Sequence, residues 1–441
     1  MERESAFTKS YDDWKAYFSA LGEPNFRAGQ ICAWLWKRGV WDADAMTDFG
    51  KELRARLAGG VDFSLLEMSG AVKASDGTKK YSVKMRDGAA VETVLLKMDS
   101  RLAACVSTQA GCPVRCPFCA TGAGGFERSL TAAEIAGQFI AMERAAGKEI
   151  SSVVFMGMGE PFLNTDATLG AVRILNAPNM RGLGIRRITI STAGIVPGIE
   201  ALTASGLAVR LAVSIHAAND DLRNELVPCN SSYPLKDLMA ALHAYQRTTD
   251  NRVTIEYALF KDINDSVADA RELVRLLHGL HSYVNLIPGN ANPGGYKTSP
   301  EQNVLRFQSV LKSAGFESEI RTARGGHINA ACGQLKNPQH QDQNLGLRPN
   351  PAGSKLPREK RRDVPAHSSK FSFHPAEERK IYEKRSPAKA SGTGKKLVPR
   401  RGLGALRPDV SAGRPKVSPE NLGKKTGRAA HHNKDAKRGR K

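Results

Sequence analysis

Between residues 100 and 336, seven short apolar runs alternate with helix-like stretches, and that alternation leaves the chain few architectures to choose from. The runs are LAACVST (102–108), SSVVFMG (151–157), RRITIST (186–192), LAVRLAVSIH (207–216), RVTIEYALF (252–260), YVNLIP (283–288) and SEIRTA (318–323). The stretches between them, such as TAAEIAGQFIAMERAA, carry apolar residues at helical spacing, and Thr131 with Glu134 predicts a capping box at the start of that one. Strand, helix and strand repeated about six times predicts parallel βαβ units and an α/β fold. The pattern leaves open whether the sheet closes into a barrel. In either form, ligands gather at the carboxyl ends of the strands.

Two other regions flank this repeat. Residues 1–95 predict a small accessory domain: FRAGQICAWLWKRGVWDADAMTDFGKELRARLAGG reads as short helices ending at a Gly pair. SDGTKKYSVKMRDGAAVETVLLK then reads as strands with an Asp-Gly at each of two tight turns. Residues 96–336 form the expected catalytic domain, and residues 337–441 a tail. Of a formal net charge of +21, residues 341–441 hold 27 Lys and Arg against 9 Asp and Glu, so the rest of the chain is nearly neutral. With only Phe371, Phe373 and Tyr382 as aromatics, that tail has too little apolar surface to offset ordering entropy and is expected to be disordered. Such an arm suits polyanions, bound through phosphate charge; an inert solubilising extension is the alternative. No apolar window is long enough to span a membrane. The opening MERESAFTKSYDDWKAYF lacks the apolar segment of a secretion signal, so the cytoplasm is the expected compartment.

Seven cysteines stand at positions 32, 105, 112, 116, 119, 229 and 332. An odd number in a chain read as cytoplasmic argues against a disulfide framework. The first strand runs into QAGCPVRCPFCATG, which spaces Cys112, Cys116 and Cys119 as C-x3-C-x2-C at a strand's carboxyl end. Three thiolates in one loop can hold three irons of a [4Fe-4S] cubane and leave the fourth open for a ligand. A structural zinc would want a fourth Cys or His close by, and the nearest, Cys105, is seven residues upstream on a strand. This motif on this scaffold resembles the radical S-adenosylmethionine (SAM) superfamily, in which SAM chelates the open iron and is split to a 5′-deoxyadenosyl radical.

Later segments suit a SAM cradle. MGMGEP (156–161) follows the second strand, where Gly157 and Gly159 permit close backbone approach and Glu160 adds a carboxylate. Ser191 ends the third strand, Ser214, Ile215 and His216 end the fourth, and Asn290 follows the sixth. Taken alone, the Gly pair reads as a turn and His216 as a satisfied core histidine. Their shared position at strand ends is what gathers them into one candidate site.

At GCPVRCPFC, VVFMGMGEPFLN, ITISTAGIVPGIEAL, VSIHAANDDLRNELVPCN, VTIEYALFKDINDS and INAACGQL, the sequence resembles the RlmN/Cfr family of radical SAM RNA adenine methyltransferases. The resemblance runs from about Phe26 to Leu335 and implies a partial (β/α)6 barrel. FRAGQICAWLWKRG and VETVLL look like the RlmN branch, whose product is 2-methyladenosine in 23S rRNA and in some tRNAs. An adenine ring carbon of this kind is too electron-poor to attack a sulfonium methyl. The resemblance implies that Cys332 takes a methyl from one SAM, that a radical from a second SAM activates it, and that RNA becomes bonded to Cys332. It further implies that Cys105 resolves the adduct by disulfide formation and that Glu92 accepts the ring proton. A flavodoxin-like electron donor is implied by analogy. Without the resemblance, Glu92 reads as a solvated strand carboxylate, and Cys105 and Cys332 as small buried thiols. Cys32 and Cys229 have no motif support and read as packing residues.

The sequence departs from the family pattern at three places. RGGHINAACGQL has His327 and Asn329 where acidic residues are expected, and Ala291-Asn292-Pro293 stands where Pro-Phe-Pro is expected. The basic tail has no family counterpart. Three rival readings remain: the Cfr-type enzyme that methylates carbon 8, another radical SAM reaction such as that of an activating enzyme or thiotransferase, and an RNA-binding assembly factor with a structural cluster.

Overall fold

A computed structural model describes residues 3–322 and 324–336. Ten strands form one sheet whose spatial order is the chain order: β1 Leu66–Lys73, β2 Lys79–Met85, β3 Ala90–Met98, β4 Arg101–Cys105, β5 Ser152–Phe155, β6 Ile188–Thr192, β7 Arg210–Ser214, β8 Val253–Leu259, β9 Ser282–Pro288 and β10 Glu317–Ile320. Pairing is antiparallel from β1 to β4. It is parallel from β4 to β10. The seven runs read as strands are therefore the seven parallel strands β4–β10. Parallel strands covered on both faces need continuous apolar content, and β8 is buried from Ile255 to Leu259 with Glu256 as its only charged residue.

The order settles what periodicity could not. Right-handed crossovers that always step in one direction put every connecting helix on the same face of the sheet. Those helices are α1 Ala132–Ala146, α2 Thr165–Asn176, α3 Val196–Ala204, α4 Leu235–Thr249, α5 Val267–Leu276 and α6 Glu301–Ser313. The order never reverses, so the fold is not doubly wound, and the helix-free face lines an interior. Among the described residues β10 pairs only with β9 and β1 only with β2, so the sheet remains open as a partial barrel. The expected cap on α1 is present: Thr131 Oγ1 accepts from the Glu134 N–H, and the Glu134 carboxylate accepts from the Thr131 N–H.

Ahead of the sheet lie helices Tyr11–Ala20, Arg27–Cys32 and Lys51–Gly60, the last ending at the anticipated Gly pair. They close on fully buried Trp14, Phe18 and Trp36, side chains whose burial stabilises by roughly 1.5–3 kcal/mol each. Both Asp-Gly turns are present as three-residue hairpin loops. Asp76 accepts from the Thr78 N–H and Asp87 from the Ala89 N–H, while Gly77 and Gly88 take φ of 84° and 94°. Through β3–β4 pairing this hairpin stretch is continuous with the parallel strands. The basic tail lies outside the described residues. No described helix is long and apolar enough to cross a membrane.

Candidate active site

The cysteine loop is pinned at its base by a two-strand ladder, Gln109–Gly111 against Phe126–Ser129. Gly111, at φ 84°, is obligatory there: a Cβ would stand 2.1 Å from the Gly125 carbonyl oxygen. The Cys112 N–H donates to that same oxygen, and the Cys119 N–H donates to the Cys116 carbonyl, so the loop folds back on itself. Beside it runs the turn after β5. There the glycines let the chain approach the chain as closely as a ligand could approach them. A Cβ at Gly157 would meet the Val106 carbonyl oxygen at 2.7 Å, and one at Gly159 the Gln109 amide nitrogen at 2.7 Å. The two strand extensions therefore pack backbone against backbone, which sets the β5 turn against the cysteine loop.

A cavity of about 190 Å3 opens at the carboxyl ends of the strands. Cys112, Cys116 and Cys119 line it, together with Gly159, Glu160, Ser191, Ser214, His216, Asn290 and Cys332. Ile215 is fully buried beneath, its N–H donating to the Glu256 carbonyl. Glu160 ties two strand ends together: its carboxylate accepts from the Phe162 N–H at 2.9 Å and the Ala193 N–H at 2.7 Å. Burial pushes that carboxyl up to about 7, against the pull of these bonds. His216 Nδ1 accepts from the Ala258 N–H at 2.9 Å, which leaves its proton on Nε2. Burial, helped by the nearby Arg223 charge, draws His216 down to about 3, so it stays neutral. Its ring meets Phe118 edge-on at 5.1 Å.

The chain's return after β10 closes the site. The Ala120 N–H donates to the Gly333 carbonyl at 2.7 Å, Thr121 Oγ1 to the Leu335 carbonyl at 2.8 Å, and Asn290 Nδ2 to the Cys332 carbonyl at 3.1 Å. Asn292, one of the departing residues, accepts from the Tyr296 N–H and donates to the Asn290 carbonyl, so it orders the loop itself. The other two departures dock on the hairpin: His327 Nε2 accepts from the Ser75 N–H, and the Asn329 carbonyl accepts from Lys80.

Besides Ile215, two expected site residues do not line the cavity. Cys105 is buried at the end of β4, and burial, then the charge of Cys332, pushes its thiol up to about 12. The two sulfurs are thus close enough to feel one another, yet all seven cysteines are free thiols, and the expected Cys105–Cys332 disulfide is not a structural bond. Glu92 is buried rather than solvated, with its carboxylate held by Lys80 Nζ at 2.8 Å and by the Lys336 N–H at 2.9 Å.

Three residues that sequence reasoning passed over belong here. Arg223 is fully buried and donates to the Ala193, Ser214 and Ile215 carbonyls and to Asn230 Oδ1, pinning the ends of β6 and β7. Glu256 and Arg321 line the cavity. For Glu256 and Arg321 the one available signal was their type, charged residues inside runs read as strands; Arg223, on the helix Asp220–Leu226, gave none. Cys229, read as packing, is buried with Sγ 3.7 Å from the Ala193 carbonyl oxygen.

The donor set suits a thiolate-bound cluster. Burial pushes the Cys112 and Cys116 thiols well above their usual range, so a cationic partner is what would hold them ionised. Among the described residues no three acidic, imidazole or thiol groups converge on one ion, and a cubane whose irons each take one thiolate does not require it.

Comparison with known proteins agrees. Residues 106–277 match the radical SAM superfamily, and residues 8–61 match the ribosomal RNA large subunit methyltransferase N-terminal domain. The probable dual-specificity RNA methyltransferase RlmN of Thermotoga neapolitana is 44% identical over 328 residues, 74% of this chain and 96% of that protein. The dual-specificity RNA methyltransferase RlmN of Halorhodospira halophila is 46% identical over 323 residues, 73% of this chain and 90% of that one. A crystal structure of a radical SAM methyltransferase from Sphaerobacter thermophilus superposes with a TM-score of 0.72 at 43% identity, covering 75% of this chain and 99% of the other. With its cysteine loop, strand-end cradle and returning Cys332 on this scaffold, the chain belongs to the RlmN family of radical SAM methyltransferases.

Proposed function

We propose that the protein methylates carbon 2 of adenosine in 23S rRNA and tRNA, with Cys332 as the methyl carrier and Cys105 as the resolving thiol. The observation that carries this reading is the placement of Cys332 in the wall that Cys112, Cys116 and Cys119 also line, with Cys105 within electrostatic reach behind it. Cys112, Cys116 and Cys119 would hold the [4Fe-4S] cluster. The Met156–Glu160 turn, Ser191, Ser214, Ile215, His216 and Asn290 would cradle SAM.

Cys332 acts first as a nucleophile: having lost its proton, its sulfur attacks the sulfonium methyl of SAM, the methyl's bond to SAM breaks with S-adenosylhomocysteine leaving, and Cys332 becomes S-methylcysteine. Held by Cys112, Cys116 and Cys119, the cluster with a second SAM would supply the one-electron chemistry, both the removal of a hydrogen atom from that methyl and the sink for the surplus electron after the carbon bonds to the ring. Glu92 accepts the ring hydrogen as a proton, which requires it to exchange its bond from the Lys336 N–H. The Cys105 thiolate then attacks the Cys332 sulfur. The S–S bond forms, the S–CH2 bond breaks with its electron pair on carbon, and a proton completes the methyl group. A dithiol reductant resets the pair. A buried neutral His216 and the apolar Phe118 keep the cavity dry around these steps.

Replacing Cys105 with Ala should halt the cycle with RNA still bonded to Cys332. Nuclease and protease digestion followed by mass spectrometry should find a nucleotide on the peptide bearing Cys332. Hydrolysis of RNA modified by the unaltered enzyme should yield 2-methyladenosine, and 8-methyladenosine would assign the Cfr-type product. An unmodified Cys332 in cluster-loaded protein would overturn the methyl-carrier reading.

A further inference from the structure

Glu256 and Arg321 are a charged pair that the methyl-transfer steps do not use. Glu256 lies on β8 and is buried; its Oε1 accepts from Asn285 Nδ2 at 3.0 Å. Its other oxygen, Oε2, is buried with no hydrogen-bond partner and stands 3.9 Å from Arg321 Nη1, too far for a bond. Arg321 follows β10, with its N–H on the Leu286 carbonyl. Both side chains border the cavity that Cys332 borders. A buried carboxylate oxygen left without a donor is costly, so an acceptor kept open beside a cavity suits a ligand that brings the donor.

These groups share one wall: Cys332, Arg321 and Glu256 all border the cavity, with the Arg321 guanidinium 3.9 Å from the Glu256 carboxylate. One edge of adenine offers three positions to match them: carbon 2, then ring nitrogen N1, which accepts, then the N6 amine, which donates. Enzymes that modify a base extrude it and read this edge in place of its pairing partner. A donor and an acceptor side by side, with a reactive sulfur in the same wall, form the complement of that edge.

We propose that Glu256 and Arg321 read the base-pairing edge of the extruded target adenine, Glu256 accepting from the N6 amine and Arg321 donating to N1. This assignment rests on the methyltransferase reading above and adds the source of its base specificity. Docked this way, carbon 2 faces Cys332. Guanine and hypoxanthine present a donor at position 1 and an acceptor at position 6, so each would oppose like against like at both points.

The test uses cluster-loaded enzyme and RNA fragments that carry adenosine, purine riboside (no amine), 1-deazaadenosine (no N1) or inosine at the target position. Wild-type enzyme should favour adenosine over purine riboside by tenfold or more in kcat/KM, roughly the effect of leaving one buried acceptor unpaired. Glu256→Ala should bring the adenosine-to-purine-riboside ratio close to one, in kcat/KM and in RNA affinity alike. Arg321→Met should do the same for adenosine against 1-deazaadenosine. Equal turnover of all four fragments by wild type, a measurement that needs no variant, would overturn the proposal, as would either variant keeping its wild-type ratio. In both cases Cys332 methylation and adenosine methylation by wild type would leave the underlying reading standing. A Cys332 that never acquires a methyl group would remove that reading instead.

Discussion

In the proposed cycle, Cys105 shows how a single side chain can set the pace of a reaction. Folding pushes its thiol up to about 12, chiefly by burial, and the thiolate is the attacking species. Below that value the ionised fraction climbs tenfold for each pH unit. Release of RNA from the Cys332 adduct should therefore accelerate roughly tenfold per unit between about pH 7 and 10, read by quenched single-turnover assays. A flat profile would mean that the proton has already been drawn off, with Arg321 the cation placed to do it. At this scale the sequence was legible where spacing carries meaning. Cys112, Cys116 and Cys119 could be read from their intervals, whereas Cys332 and Cys105 emerged only through family resemblance, because each by itself is an ordinary small thiol. Glu256 and Arg321 were not singled out, since what makes them a pair is register across β8, β9 and β10, and no local pattern encodes it.

Elements were more legible than their arrangement. All seven parallel strands, the cap on α1 and both Asp-Gly hairpins follow from periodicity and turn chemistry. Their order and the open edge did not, because long-range pairing decides them. Arg223 belongs to this scale: it holds four acceptors on the connections after β6 and β7, including two carbonyls at residues 214 and 215. Arg223→Met would strand those acceptors at about 1–3 kcal/mol each, tempered by local relaxation. Urea unfolding should show a loss of at least about 3 kcal/mol. Ser214 and His216 should lose their fixed placement with it, so SAM affinity should weaken well beyond what a purely global destabilisation gives.

Charge organises the whole molecule. The residues up to 340 carry 38 basic against 35 acidic side chains, and the surplus sits in the last hundred. Truncation at residue 340 should weaken RNA binding and flatten its dependence on salt, with about one counterion's worth of slope lost per phosphate contact removed. An unchanged slope would assign the tail no part in RNA binding. The strap that closes the cavity carries a different consequence, one of timing. The bond from Thr121 to Leu335 spans 214 residues, so during synthesis the three clustered thiols emerge long before the segment that covers them. On the proposed reading, a nascent chain would pass through an interval in which its cysteine loop lacks this roof. That interval would give a preassembled iron–sulfur cluster direct access to the loop before residues 330–336 arrive to shut it in.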